Sequence, residues 1–194
     1  NNTYPSTTAN NGTGPQIFAR QIYAGVGSPT FGKVTIGRQY AVSYILSGIY
    51  GVVKNDGLYA YPGALLPIVG SMPSRVNNSL LYASPQVGGF AAMVMATTGL
   101  ENNVNTPTAS GSALTTDRAG RGLDAGISFR QGPLAASLSG WQIKNATYAT
   151  GETGLANRTG AQIAANYDFG VAKVAVNYLK GKISGGNYEN VTKA

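Results

Sequence analysis

The sequence predicts an all-β chain that folds as one antiparallel, up-and-down sheet, and three observations lead to this. Helical periodicity is absent, because Gly, Ser, Thr and Asn interrupt every window before an apolar stripe can persist for three turns. Apolar residues alternate instead with polar or small ones in segments of about ten residues, which is the period of a β-strand. Only 11% of the residues are charged and 27 of 194 are glycine, whereas an ordinary soluble domain has about 25% charged residues and about 7% glycine.

Eight segments carry this alternation, and each has one apolar face and one polar or small face. The pattern is clear in 122–130, where two sets alternate: Leu123, Ala125, Ile127 and Phe129 against Asp124, Gly126, Ser128 and Arg130. The predicted strands are 16–26, 31–39, 76–84, 89–98, 120–130, 133–144, 158–168 and 171–182.

The connections between these segments alternate in length. Short turns containing Gly, Pro or Asp, the residues that tight reversals require, lie at 27–30, 84–88, 131–133 and 168–170. Long connections lie at 40–75, 99–119 and 145–157. This arrangement predicts one domain over 1–194, with tight turns at one end of the sheet and long loops at the other.

Strands of this length and alternation are typical of a transmembrane β-barrel, because a bilayer interior admits only helices and closed barrels. Several of the 12 tyrosines lie near segment ends, as interfacial aromatic girdles require: Tyr23, Tyr40, Tyr82, Tyr167 and Tyr178. The alternative is a soluble extracellular β-sandwich. A sandwich buries bulky side chains, whereas the apolar face here is often Ala, Val or Gly, which favours the barrel.

The composition argues against catalysis and against metal or cofactor binding. Without Cys or His the chain has no disulfide, thiol nucleophile, Cys/His metal site or imidazole base. Asp117, Asp124 and Glu152 do not form a spaced carboxylate set. The net charge of +7 attracts anions. Its basic residues are scattered singly rather than gathered beside aromatics, so we expect no nucleic-acid partner.

Five segments give the chain a resemblance to the Gram-negative general porins, especially the β-proteobacterial type. They extend over about 16–182: 20–26 (RQIYAGV), 31–39 (FGKVTIGRQ), 75–90 (RVNNSLLYASPQVGGF), 132–138 (GPLAASL) and 165–173 (ANYDFGVAK). The resemblance implies a sixteen-stranded, homotrimeric barrel in the bacterial outer membrane, in contact with its lipid and lipopolysaccharide. It also implies that this chain is an incomplete portion of the barrel, from about the fourth strand to the eleventh.

The resemblance assigns a pore constriction as well. Connection 40–75 corresponds to the porin loop that folds into the barrel, and Lys54 and Asp56 are its only charged residues before Arg75. Arg38 and Arg121 match porin positions whose arginines line the constriction, and Arg20 extends their row. Rows of arginine favour anions in a pore, because guanidinium stays charged and offers several donors.

Strict alternation conflicts with this placement. Arg38 shares a face with Val34 and Ile36, and Arg121 shares a face with Leu123 and Ala125. The glycines beside each arginine could host a bulge that resets the face; alternatively, both are rim residues that contact lipopolysaccharide phosphates or solvent. Three other charged residues belong to the polar face but lie near the short turns: Arg130, Asp168 and Lys173. At that end of the strands they would affect only the mouth of the channel.

The function expected from these observations is a water-filled outer-membrane channel for passive diffusion of small hydrophilic solutes, with a preference for anions. The alternative function is that of a secreted or surface β-protein acting as an adhesin or carbohydrate binder. Neither expectation includes enzymatic activity.

Overall fold

The computed structural model describes residues 21–50, 75–99, 120–147, 155–185 and 188–193. These residues form nine strands and one helix, α1 (Val42–Tyr50). The strands are β1 (Ile22–Ser28), β2 (Gly32–Tyr40), β3 (Arg75–Ala83), β4 (Phe90–Thr97), β5 (Arg121–Gln131), β6 (Leu134–Thr147), β7 (Leu155–Asp168), β8 (Lys173–Gly185) and β9 (Tyr188–Lys193). Each strand pairs antiparallel with the next in one sheet of order β1 to β9. The predicted up-and-down topology is confirmed.

Two elements differ from the sequence prediction. Each of the eight predicted segments overlaps one of β1–β8, but β9 is a ninth strand that was not expected. It has only six residues and begins after a two-residue connection, at the end of the sheet where long connections were predicted. The expectation of no helix is also wrong, because α1 lies within the predicted 40–75 loop. With nine residues it is shorter than three turns, and its buried stripe is Val42, Leu46 and Tyr50.

Short turns connect alternate strand pairs, as predicted. Only Gly132 and Pro133 separate β5 from β6. Gly132 has a φ of 56°, a left-handed conformation that glycine adopts without steric cost. At the opposite end the chain runs from β2 into α1. The segments 51–74, 100–119 and 148–154, on which the predicted long loops largely fall, lie outside the described residues.

One face of the sheet, which we call the apolar face, exposes its large hydrophobic side chains. Leu138 and Ile163 are each 53% exposed, and the face extends from β1 to β8 through Ile22, Val26, Val34, Ile36, Leu80, Val94, Leu123, Ile127, Val174, Val176 and Tyr178. A β-sandwich would bury these residues, and a soluble monomer rarely exposes so large a contiguous apolar patch. The distribution is therefore that of strands whose apolar face contacts lipid.

The opposite face, the helix face, packs against α1. Ala41, Val42 and Leu46 join Met95, Trp141, Ile143 and Ala164 in the core between helix and sheet. Most other buried side chains on this face are polar and small, such as Thr35, Ser79, Ser128, Ser137 and Ser139. Small residues let the helix approach the strands closely. In the described part of the chain, no helix is long and apolar enough to cross a membrane.

Candidate functional site

The N-terminus of α1 is attached to the strand wall through Asp124 of β5. One carboxylate oxygen, Oδ2, accepts hydrogen bonds from the Ser43 backbone N–H and from the Ser43 hydroxyl, each at 2.9 Å. Asp124 is fully buried and Ser43 nearly so. A carboxylate at this end of a helix accepts from otherwise unsatisfied N–H groups and complements the helix dipole. Asp124 is therefore an anchor for the start of α1.

Two further contacts hold the backbone of α1 against β7. Gln162 Nε2 donates to the Ser43 carbonyl at 3.0 Å, and Asn166 Nδ2 donates to the Tyr50 carbonyl at 3.1 Å. The Arg130 guanidinium lies 5.5 Å from the centre of the Tyr50 ring, a cation–π distance. The helix is thus held by polar contacts at both ends as well as by its apolar stripe.

Glycine on β5 determines how closely α1 approaches the sheet. A Cβ atom at Gly126 would overlap Leu46 Cδ1 and would lie 2.9 Å from the Leu138 carbonyl oxygen. The position beneath the middle of the helix therefore has no room for a side chain, and glycine is required by a close approach rather than by a turn.

The helix face carries more positive than negative charge among the described side chains. Lys33 and Arg158 have the parity of buried neighbours on this face, Thr35 and Gln162. Arg130 and Lys173 join them, as their predicted parity required. The described carboxylates on this face are Asp124 and Asp168, and Asp168 forms a half-exposed 3.7 Å ion pair with Lys173.

Arg38 lies beside a register shift, but the additional residue is not at the neighbouring Gly37. The β2–β3 pairing shifts between Gly37 and Gln39, and the additional residue is in β3, where Asn78 has a φ of 48°. Arg38 is half-buried and donates from Nη1 to the side-chain oxygen of the buried Asn77. In the β1–β2 pairing it lies opposite Ile22.

The pairing of β5 shows no register shift beside Arg121, although Gly120, which precedes it, has a φ of 79°. Arg121 lies directly opposite Lys144 of β6, and the β4–β5 pairing ends one residue away, at Gly122. Arg121 and Lys144 are exposed, and Arg121 keeps the parity of Leu123 on the apolar face. Arg38 and Arg121 are therefore not brought to one site by the described residues. The other three predicted constriction residues, Arg20, Lys54 and Asp56, lie outside the described residues.

The sequence did not single out the residues that anchor α1. The sequence places Asp124 in the polar set of 122–130 and among the carboxylates that form no catalytic set, and it places Gln162 and Asn166 only within the predicted strand 158–168. A signal was present for Asp124 and Gln162, since each is a polar residue inside an alternating strand rather than at its end. It did not identify the partner, which lies 81 residues away for Asp124 and 119 for Gln162.

Comparisons with known proteins agree with this architecture. The chain matches the Gram-negative porin family model over residues 3–192. Among solved structures, it is similar to an anion-selective porin from Comamonas acidovorans, with 25% sequence identity and a TM-score of 0.68. The match covers 90% of this chain and 49% of that porin, so the chain spans about half of the porin's length. No curated protein matches the sequence. Because the family match extends over nearly the whole chain and the sheet agrees with it, the chain belongs to the Gram-negative porin family and lies in the bacterial outer membrane.

Proposed function

We propose that this chain forms part of the wall of a water-filled channel through which small hydrophilic solutes diffuse passively. The observation that carries the proposal is the distribution of side chains across the sheet. The apolar face is exposed, as contact with lipid requires, while the opposite face is polar and carries the helix. A wall that has lipid on one side and water on the other needs this arrangement. We further propose that the channel works as a homotrimer, and no observation favours an adhesin or carbohydrate binder.

An anion preference is supported by the charges on the helix face. The described cations there are Lys33, Arg130, Arg158 and Lys173, against Asp124 and Asp168. The Asp124 carboxylate accepts a hydrogen bond from Ser43, and Asp168 forms an ion pair with Lys173. The remaining field is positive, and such a field raises the local concentration of anions in a channel. The similar porin from Comamonas acidovorans is itself described as anion-selective.

The constriction that we propose is formed by connection 40–75, with Lys54 and Asp56 facing Arg38 and with Arg20 extending the row of arginines. Its support is the helix α1 at the start of this connection, which packs on the polar side of the sheet. The hydrogen bond from Arg38 to the side chain of the buried Asn77 supports a direction away from lipid for this arginine. We assign Arg121 to the outer surface instead, because its pairing is regular and it keeps the parity of Leu123.

The test is the reversal potential of the purified porin in a planar bilayer under a salt gradient. Wild-type channels are expected to prefer anions. A unit charge about 6 Å from a permeating ion contributes about 0.7 kcal/mol in water, attractive for an anion and repulsive for a cation. Arg38→Ser is therefore expected to lower the anion-to-cation permeability ratio about tenfold. Arg121→Ser makes the same chemical change on the apolar face and is expected to leave the ratio unchanged.

Three results would contradict parts of this proposal. If the purified protein forms no channels, the transport function is wrong. If wild-type channels prefer cations, the anion preference is wrong. Equal shifts for Arg38→Ser and Arg121→Ser would remove the distinction between the two arginines, since both changes would then act through net charge.

A further inference from the structure

A cavity of about 250 Å³ lies between α1 and the strands β1–β4, and we call it the β1–β4 cavity. Ile45 of α1 lines one side, and Leu81 of β3 and Met93 of β4 line another. Drug-sized ligands fill pockets of about 300–1,000 Å³, so this cavity suits a smaller molecule. The side chains that hold α1 belong to β5 and β7. The β1–β4 cavity is therefore separate from the anchors of the helix.

The strand register shows which side of the sheet the cavity belongs to. Lys33 pairs with Ala83, which pairs with Met93, and the next row of the same face pairs Thr35 with Leu81. Directly opposed residues share a face, and Thr35 is buried on the helix face. The row that contains Lys33 lies close to the short turn that ends at Gly32. The cavity therefore faces the channel, between α1 and the short turns.

Lys33 is the one charged residue among the described residues of the lining. Its Nζ lies 5.3 Å from the centre of the Tyr23 ring. The buried Thr35 and Gln39 are bonded within the wall, because Thr35 Oγ1 donates to Gln39 Oε1 at 2.6 Å and Gln39 Nε2 donates to Ser79 Oγ at 3.2 Å. Both described carboxylates are engaged elsewhere, at α1 and on β8. The ammonium of Lys33 is thus the part of the lining that an anion can use.

The rest of the lining is mainly apolar or aromatic, which a channel for hydrophilic solutes does not require. Ile45, Leu81 and Met93 are partly exposed, and Tyr23 is 44% exposed. Contact between apolar surface and water is unfavourable, and a mainly apolar concavity with a few polar groups is the usual form of a small-molecule site. An aromatic ring and a methionine sulfur both make favourable contacts with another ring. The lining therefore favours a ligand that has a flat ring.

We propose that the β1–β4 cavity binds small aromatic carboxylates on their way through the channel. Lys33 Nζ donates hydrogen bonds to the carboxylate, and the ring lies between Ile45 and the side chains of Leu81 and Met93, with Tyr23 at its edge. The proposal rests on the channel function proposed above and names a class of solute for which this wall has a site of its own. One negative charge matches the one cation of the lining, and the ring covers apolar surface that water would otherwise contact.

Binding to the detergent-solubilised porin tests the site without depending on conduction. The probe is 4-fluorobenzoate, titrated and followed by fluorine NMR, with porin-free micelles as the blank. A site in a channel must bind weakly enough to release its solute, so a dissociation constant of about 1 mM is expected. Fluoroacetate has the charge without the ring, and 4-fluorobenzyl alcohol has the ring without the charge. Each is expected to bind about tenfold more weakly than 4-fluorobenzoate.

Two substitutions and a matched control locate the site on the wall. Lys33→Gln is expected to weaken binding of 4-fluorobenzoate about tenfold, while 4-fluorobenzyl alcohol binds as in wild type. Lys33→Arg keeps the charge and is expected to stay within about threefold of wild type. Tyr23→Ala removes the ring at the edge of the site and is expected to weaken binding about threefold. Lys173→Gln makes the same chemical change on β8 of the same face and is expected to change binding less than about twofold.

The site is wrong if Lys33→Gln and Lys173→Gln weaken binding equally, since binding would then follow net charge. It is equally wrong if fluoroacetate or 4-fluorobenzyl alcohol binds as tightly as 4-fluorobenzoate, because one group alone would then suffice. Channels that conduct chloride, formed by a protein that binds no 4-fluorobenzoate, would contradict this site and leave the transport function standing. Binding without any conduction would contradict the transport function and leave the binding site standing.

Discussion

Replacing Asp124 with alanine is expected to release helix α1 from the wall while the sheet stays assembled. The change removes the acceptor of two buried hydrogen bonds, from Ser43 N and Ser43 Oγ, both 2.9 Å long. Hydrogen bonds to a charged group contribute about 1.5–3 kcal/mol each. Part of this gain is offset by the cost of burying the carboxylate itself. We therefore expect the opening of α1 to become easier by about 3 kcal/mol.

Amide hydrogen exchange in detergent micelles measures that opening directly, because local unfolding has its own free energy. A change of about 3 kcal/mol corresponds to exchange roughly 150-fold faster for the amides of α1 that form helical hydrogen bonds. Asp124→Asn keeps an oxygen acceptor, and asparagine caps helices about as well as aspartate. It is expected to accelerate exchange about fivefold at most. Asp168→Ala removes the other described carboxylate of this face, which forms a half-exposed ion pair with Lys173, and is expected to leave α1 unchanged.

Two outcomes would refute the anchor. Exchange in α1 that is no faster in Asp124→Ala than in Asp168→Ala would show that the two hydrogen bonds do not hold the helix. Equal acceleration in α1 and in the paired amides of β5 and β6 would show that Asp124 stabilises the sheet as a whole.

Two other predictions concern the two faces of the sheet. Gly126→Val places a side chain where Leu46 lies, and such overpacking costs about 1–3 kcal/mol; the added change Leu46→Ala is expected to recover part of the loss, measured by denaturant unfolding from lipid vesicles. An additive loss in that double variant would mean that the two residues do not meet. Leu138→Arg puts a charge on the middle of the apolar face and is expected to destabilise the folded barrel in vesicles by about 2–4 kcal/mol, well beyond the effect of Leu138→Ala. Equal effects of the two Leu138 changes would argue against lipid contact there.

The strands could be predicted from the sequence because a period of two fixes which side chains share a face. In β5, Leu123 and Ile127 are exposed whereas Asp124 and Ser128 are buried, as the alternation predicts. A slip of one residue would exchange the two faces completely. The topology was equally accessible, since a tight turn can connect only neighbouring antiparallel strands.

The helix and its anchors could not be predicted, because they depend on contacts between distant parts of the chain. Residues 42–50 contain β-branched and aromatic side chains with modest helix propensity, and the packing of Val42, Leu46 and Tyr50 stabilises the helix instead. Tertiary packing commonly decides the fate of so short a segment.

Arg38 and Arg121 show the same limit of prediction from sequence, each at a single position. Both have glycine beside them, and glycine offers a bulge equally in both places. Whether the pairing shifts depends on the partner strand. β3 supplies the additional residue next to Arg38, at Asn77 and Asn78, whereas β6 pairs with β5 without a shift up to Arg121. Local sequence shows where a bulge is allowed, and the register of the neighbouring strand shows whether it forms.

On the helix face, the residues that hold α1 lie on different strands from some of the residues that give this face its charge. The anchors Asp124, Gln162 and Asn166 lie on β5 and β7, beneath the helix, whereas Lys33 and Lys173 lie on β2 and β8, to either side of the strands that α1 mainly contacts. Removing a cation on β2 should therefore change the field in the channel without loosening the helix. Removing an anchor should loosen the helix, and with it the start of the connection 40–75, while the cations on β2 and β8 stay in place. Because the two sets lie on different strands, ion preference and channel geometry can be altered independently in this wall.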